Sequence, residues 1–251
     1  MSDGIGAYEP MTREQSLEKA QQIIRSVSVN RHDRPSLVAQ IACEIGAEII
    51  EGIIPPDQDL NTVDLAKRYG ASRTPVREAL IVLENEGLVD IVPRRRPRAR
   101  LYSMQEVREI YRTRAALLEF VAGDVAGFAT KEDIAALRGV LARMRQAADI
   151  HDVRGYVWLN VKFTHYNTRI ARNATVKRII DSLLLRTIAM RRINLSQPRR
   201  MEESLDDHIR LVDAYERQDS YMAAAILRAN HHAALSRVEQ YHTEHGTFLP
   251  R

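Results

Sequence analysis

The chain has a single cysteine, Cys43, in 251 residues. One thiol excludes an internal disulfide framework, and its neighbours Ile41, Ala42 and Ile45 mark it as a small core position. No apolar run approaches the roughly 20 residues that a membrane-spanning helix needs, and the opening MSDGIGAYEPMTREQ lacks an apolar signal core. The expectation is a cytoplasmic protein with no membrane partner. Catalytic signatures are missing as well: there is no HExxH, no GxSxG and no glycine-rich phosphate loop. Asp206-Asp207-His208 is explained by acids compensating a helix N-terminus, so no enzyme is expected. Charge of one sign is not in large excess either, with 37 Lys and Arg against 33 Asp and Glu.

What is present is a distribution of charge. Between Arg34 and Leu101, ten basic residues balance ten acidic ones. The acids lie mostly at Glu44, Glu48, Glu51, Asp57 and Asp59, whereas the bases gather further on. From Leu60 to Leu88 two short helical patterns meet at Gly70-Ala71-Ser72. The first has an apolar stripe of Val63, Leu65, Ala66 and Tyr69, and Gly70 suits the left-handed residue just past a helix end. Ser72 is placed as N-cap of the second helix, with Pro75 in its first turn. Val76, Leu80 and Leu83 point to a core, which turns Arg73, Thr74 and Arg77 outward. A helix N-terminus carrying these donors suits the major groove and a phosphate.

Leu88–Val92 and Ala99–Tyr102 read as two short strands around the tip Pro93-Arg94-Arg95-Arg96-Pro97-Arg98. A helix-turn-helix followed by a basic hairpin is a winged helix, and Arg94, Arg95 and Arg96 are its candidate backbone or minor-groove contacts. The plainer alternative for this arginine run is a solvated loop. Upstream, Leu37, Ile41, Ile45 and Ile49 recur at i+4 and define the domain's first helix, ended by Gly52 and Pro55-Pro56. Residues 1–33 form a polar extension with a short helix at about 16–26, ending in Asn30-Arg31-His32-Asp33.

After Tyr102 strand alternation disappears. Ser103-Met104-Gln105-Glu106 has the form of a capping box opening a helix to about residue 128, and Thr130 caps another to about 148. Helical patterns continue at about 152–171, 175–196, 202–217 and 219–243, with no internal repeat. The fold expected is mainly α. A winged helix-turn-helix occupies 34–102 and an all-helical bundle 103–245, followed by a tail at 246–251.

Several runs carry a resemblance: Gly52-Ile53-Ile54-Pro55-Pro56, the segment Asp64–Gly70, Ala71-Ser72-Arg73-Thr74-Pro75-Val76-Arg77-Glu78-Ala79-Leu80, and Glu86-Gly87-Leu88-Val89. They closely resemble the N-terminal domain of GntR-family bacterial transcription regulators. Phe163, Asn173, Ser204, His208, Asp219 and Ala223 are similar in order and interval to the effector domain of the FadR-type (FCD) branch. The resemblance implies a dimeric, ligand-responsive repressor or activator that binds a pseudo-palindromic double-stranded operator, and the expectation taken from it is a repressor released by a small, organic-acid-like metabolite. By motif position Arg73, Thr74 and Arg77 carry over as DNA contacts. Arg77 is the candidate for a guanine edge, since a guanidinium offers the two donors that O6 and N7 accept. Gln58 stands where relatives often have a basic residue, and Arg94-Arg95-Arg96-Pro97 stands where they show glycine at the wing tip.

Many relatives hold a divalent metal with one Asp and three His. Here the resemblance places Asn160, Thr164, His208 and Asn230 at those positions, so neither a metal nor another cofactor is expected. His165 and His231 lie one residue beyond, a rotation of about 100° that would turn both away unless the helices bulge. Asn160, Thr164, His208 and Asn230 would instead line an effector site, with Arg114 pairing an effector carboxylate. An interhelical salt bridge is the alternative for Arg114. An architectural DNA-binding protein without a ligand is the alternative for the whole chain, and a helical-domain enzyme is a more distant one.

Overall fold

The computed structural model describes residues 8–28 and 36–246. Asn30–Asp33 and the tail beyond 246 lie outside them. The chain divides into two compact units.

The first unit contains α1 (Arg13–Ser28), α2 (Leu37–Ile50), α3 (Thr62–Arg68), α4 (Arg73–Asn85), β1 (Val89–Asp90) and β2 (Arg98–Ala99). Its core follows the i+4 spacing of α2: Ile41 and Ile45 are fully buried and meet Val76, Leu80 and Leu83 of α4, which packs on α2. Cys43 is buried among them. Ser36 caps α2 by accepting from Ala39 N at 3.1 Å. α1 packs on α2 and buries Ala20 and Ile24, so this unit starts at Arg13, upstream of the boundary expected at 34. Gly46 makes that packing possible, because a Cβ there would sit 2.7 Å from Ile24 Cδ1 and 2.9 Å from Leu83 Cδ2. Ser16 Oγ adds a buried hydrogen bond to Glu51 Oε1 at 2.7 Å.

Two details differ from the sequence reading. Val63 is 42% exposed and leaves the inward stripe of α3 to Leu65 and Ala66. The hairpin strands are also only two residues each, paired as Val89↔Ala99 and Asp90↔Arg98. Their other edge is covered by the segment before α3: Asp57 N donates to Ala99 O at 2.8 Å, Ala99 N to Gln58 O at 3.0 Å, and Leu60 N to Pro97 O at 2.7 Å. With these bonds made, a short ladder satisfies its backbone without longer strands.

The second unit is built from α5 (Met104–Phe128), α6 (Lys131–Asp149), α7 (Val153–Ile170), α9 (Arg200–Glu216), α10 (Ser220–His245) and both ends of α8 (Ala174–Ser196). Thr130 and Asp133 form the capping box of α6. Asp152, Asn173 and Asp219 cap α7, α8 and α10 through their side-chain oxygens. α5 packs against α7, α9 and α10 through a stripe of Val107, Tyr111, Leu118, Val121 and Val125. Residues 8–12 belong to the same unit: Tyr8 Oη and Met11 N both donate to Asp152 Oδ2, at 2.9 and 2.8 Å. Residues 181–190, the middle of α8, group with the first unit. No described helix is long and apolar enough to cross a membrane.

Candidate nucleic-acid interface and buried polar cluster

The N-terminus of α4 is set by two chain reversals. Gly70, at φ 57°, ends α3, and Ser72 occupies the N-cap of α4 with extended backbone. The Ser72 hydroxyl makes no capping bond, so it stays free to donate outward with the exposed Arg73, Thr74 and Arg77. Facing them is the wing. Its turn is closed by Arg95 N donating to Val92 O at 3.1 Å, with Pro93 second and Arg94 third at φ 64°. Proline followed by a residue of positive φ is the type II pattern, and arginine here fills the place that glycine favours. Between α4 and the wing lies a groove of about 530 Å³, lined by Arg73, Arg77, Arg94 and Arg96 together with Ile81 and Ile91.

The five arginines of the wing are not equivalent. Arg98 bridges Asp57 and Asp59 at 2.9 and 2.8 Å, and Arg100 pairs with Asp90 at 3.2 Å. These two hold the hairpin together. Arg96 lies 3.9 Å from Asp59, whereas Arg94 and Arg95 are exposed without an acidic partner among the described residues. Arg68 is likewise taken up, forming a bidentate pair with Glu48. The uncommitted cations therefore gather on one face, along the N-terminus of α4 and the wing tip.

A left-handed arginine costs about 1–2 kcal/mol that glycine would not. Arg94→Gly is expected to raise unfolding stability by about 1 kcal/mol while weakening DNA binding and lowering the salt slope by about 1. Denaturant melts together with anisotropy titrations at several salt concentrations check both signs.

In the helical unit, polar side chains converge from α5, α7, α8, α9 and α10. His208 on α9 is buried, with its ring edge-on to Phe163 at a centroid distance of 4.7 Å. Its Nδ1 donates to Ser204 O at 2.5 Å, which leaves Nε2 to accept from Asn160 Nδ2 at 3.3 Å. Asn160 Oδ1 in turn accepts from Arg191 Nη1 at 2.8 Å. Burial holds the His208 imidazole down to about 4, against weaker opposing effects from the Ser204 carbonyl and Asp207, so it is neutral at pH 7.

The predicted effector residues are only partly brought together. Asn160 and His208 are bonded to each other, and Arg114 is buried on the inward side of α5, where burial and then the charge of Arg191 push its pKa well down. Thr164 departs, because its hydroxyl donates to Asn160 O on its own helix at 3.0 Å. Asn230 departs too, donating to Asp207 Oδ2 at 2.8 Å.

His231 corrects the sequence reading in the opposite direction. It follows Leu227 by four residues and precedes buried Ala234 by three, which keeps it on the inner stripe of α10 without any bulge. Its Nδ1 bonds to Leu227 O at 2.9 Å, and Arg114, Arg191 and His208 are among the charges acting on it. Burial, with those charges, holds it down to about 3. His165 is exposed, as its rotation predicts.

Sequence reasoning also missed Arg191 and Tyr111. Both are buried and sit at core register, Tyr111 four residues after Val107 and Arg191 three after Ile188. An arginine or tyrosine at an apolar heptad position is the signal that could have found them.

A metal does not fit this cluster. A guanidinium occupies the oxygen of Asn160, the Thr164 hydroxyl is spent on its own helix, and two imidazoles alone make a poor site. Among the described residues no group of three His, Cys, Asp or Glu is arranged to hold an ion.

Comparison with known families settles the class. Residues 37–97 match the family described as bacterial regulatory proteins, gntR family, and residues 109–233 match the FCD domain. The chain belongs to the GntR family. It is 27% identical over 207 residues, 81% of this chain and 88% of the relative, to a probable D-xylose utilization operon transcriptional repressor from Paenarthrobacter nicotinovorans. It is 26% identical over 185 residues, 73% and 74% of the two chains, to the gluconate operon transcriptional repressor of Bacillus licheniformis. Escherichia coli McbR/YncC shares the fold, with a TM-score of 0.69 and 21% identity over 83% of this chain and all of that one. A putative GntR regulator from Rhodococcus sp. RHA1 follows at TM-score 0.65 and 19% identity, covering 81% and 97%. This GntR chain is a DNA-binding transcription regulator rather than an enzyme.

Proposed function

We propose that this GntR regulator is a cytoplasmic, homodimeric repressor that leaves a pseudo-palindromic operator when a small carboxylate enters its helical unit. The observation that carries the DNA half is the single exposed face formed by Ser72, Arg73, Thr74 and Arg77 with the uncommitted Arg94 and Arg95. Such a face offers donors for a base edge at the α4 N-terminus and cations for phosphate at the wing. The effector half rests on Arg114, Asn160, His208 and His231 converging in a buried cluster where both imidazoles are neutral. Neutral imidazoles and an amide are hydrogen-bonding groups for a polar metabolite, and Arg114 supplies the charge for its carboxylate. One continuous helix, α8, runs from residues grouped with the winged helix to Arg191, one residue past that segment.

The relatives named for gluconate and D-xylose operons make sugar acids and their parent sugars the first compounds to try. The test is operator binding by fluorescence anisotropy with gluconate, xylonate, xylose and a panel of organic acids. Release by one or more acids, with free sugars inert, is the expected result. Operator affinity unmoved by every compound would favour an architectural role.

The neutral His208 also fixes a pH dependence. Its folded pKa lies below the ordinary value of 6.5, so on acidification the unfolded chain takes up a proton first. Stability is therefore unaffected above about pH 6.5 and falls between there and about 4, at a limiting slope near 1.4 kcal/mol per pH unit for this one group. His231, held down to about 3, adds a decline of the same sign, so denaturant melts from pH 7.5 to 4.5 should show both and His208→Asn should reduce the slope by roughly half.

A further inference from the structure

Arg191 is a buried guanidinium only partly used. Its Nη1 donates to Asn160, while Nη2 is enclosed and has no hydrogen-bond partner. The Tyr111 hydroxyl is also enclosed and without a partner, and it lies within electrostatic reach of Arg191, Arg114 and Arg200. Among the described residues no carboxylate pairs with Arg191; its charged neighbour is another cation, Arg114, and the one side chain that favours its charge is Tyr111, a neutral phenol at pH 7. Arg200 shows the contrast. It is equally buried, yet it donates to Asn194 Oδ1 and Asn230 O and has Asp207 and Glu203 nearby, which makes it a structural arginine.

An isolated buried cation is costly, and an enclosed donor left without a partner adds to that cost. Arg191 and Tyr111 come from α8 and α5, and their free donors share one field with Arg114. An oxyanion placed among them would answer the charge of Arg191 and satisfy both free donors.

We propose that Arg191 and Tyr111, together with Arg114, form a direct oxyanion-binding subsite that takes a small carboxylate or phosphate without any metal ion. Asn160 acts as the positioning residue, locking one arm of the guanidinium so that Nη2 faces the ligand. The proposal rests on the reading of the helical unit as a ligand site, and it adds which groups hold the charge and that no divalent cation takes part. Because the ligand-free state leaves a cation uncompensated, the subsite lowers stability until it is filled.

The test uses full-length protein dialysed against EDTA and melted in chloride, phosphate or succinate at equal ionic strength and pH. The native protein is expected to gain a few degrees in phosphate, succinate or both over chloride, and the comparison of the two arms assigns the oxyanion class. Arg191→Met should melt at or above the native protein in chloride and gain nothing from either anion. Arg191→Lys, which keeps the charge but cannot reach Asn160 and ligand together, should fold and bind at least tenfold more weakly in calorimetry. Tyr111→Phe should weaken the anion response without lowering the melt in chloride.

An Arg191→Met melt below native with the anion gain intact would make this arginine structural and overturn the proposal. A native anion response that is absent in EDTA and returns with zinc or manganese would overturn it too, as would no response in either condition. If the native operator complex is still released by a metabolite in those cases, the ligand-responsive reading survives and only the metal-free subsite fails.

Discussion

Arg77→Ala is expected to cost about 1–3 kcal/mol on the operator and almost nothing on random DNA. Arg77 stands on the exposed side of α4, one turn in from Ser72, while Val76, Leu80 and Leu83 hold the opposite face in the core. Its guanidinium can therefore enter the major groove without disturbing the unit that presents it, and removing it loses a bidentate base contact. The wing should behave differently. Replacing Arg94, Arg95 and Arg96 together should weaken operator and random DNA alike and flatten the dependence of affinity on salt, because phosphate contacts act by releasing counterions. Arg98→Ala and Arg100→Ala form a third class: Arg98 ties the hairpin to Asp57 and Asp59 of the segment before α3 and Arg100 pairs with Asp90 within it, so both should loosen the wing. Equal losses on both DNAs for Arg77→Ala would contradict the division of roles.

Arg114→Ala and His208→Ala are expected to abolish release by the metabolite that frees the native complex, while ligand-free operator affinity stays within about threefold. Both residues lie in the helical unit, in a cluster remote in sequence from every groove-facing residue. A ligand shifts an equilibrium only through its different affinity for the two states, so removing the groups that bind it removes the shift. His208→Ala also opens the space beneath Phe163 and breaks the Asn160 contact, so a thermal melt should accompany it. His208→Asn, closer in polarity, separates loss of ligand from loss of packing. Variants that still release DNA normally would place the ligand elsewhere.

The fold was largely legible because two periodicities and a set of end signals agreed. Val76, Leu80 and Leu83 at i, i+4 and i+7, the Thr130 cap and the Gly70 stop each leave a local mark in sequence. The contribution of residues 57–60 to the hairpin left none, since a backbone ladder to Pro97 and Ala99 depends on a long-range approach rather than on side-chain pattern. The reach of α1 onto α2 was hidden for a similar reason, as Gly46 shows its purpose only when Ile24 is beside it.

The buried cluster was less legible than the groove face. Counting from family positions selected Asn230 and set His231 aside, but both residues fall near the inner stripe of α10, and Asp207 draws the Asn230 amide to itself. Arg191 was passed over because a single arginine within a helix reads as a solvated charge unless its register against Ile188 and Asn194 is checked. Thr164 was chosen by position, yet a threonine four residues past a carbonyl on its own helix has a ready acceptor there.

Reciprocity between the two ligands tests the account most directly. If the metabolite and the operator favour different arrangements of one protein, each must weaken the other by the same factor. Calorimetric titration of the releasing metabolite into the full-length protein, free and saturated with operator, measures one side, and operator anisotropy with and without metabolite measures the other. The account predicts matching factors, on the order of 5- to 150-fold, that vanish together in Arg114→Ala. Metabolite affinity that is the same with and without bound operator would contradict it.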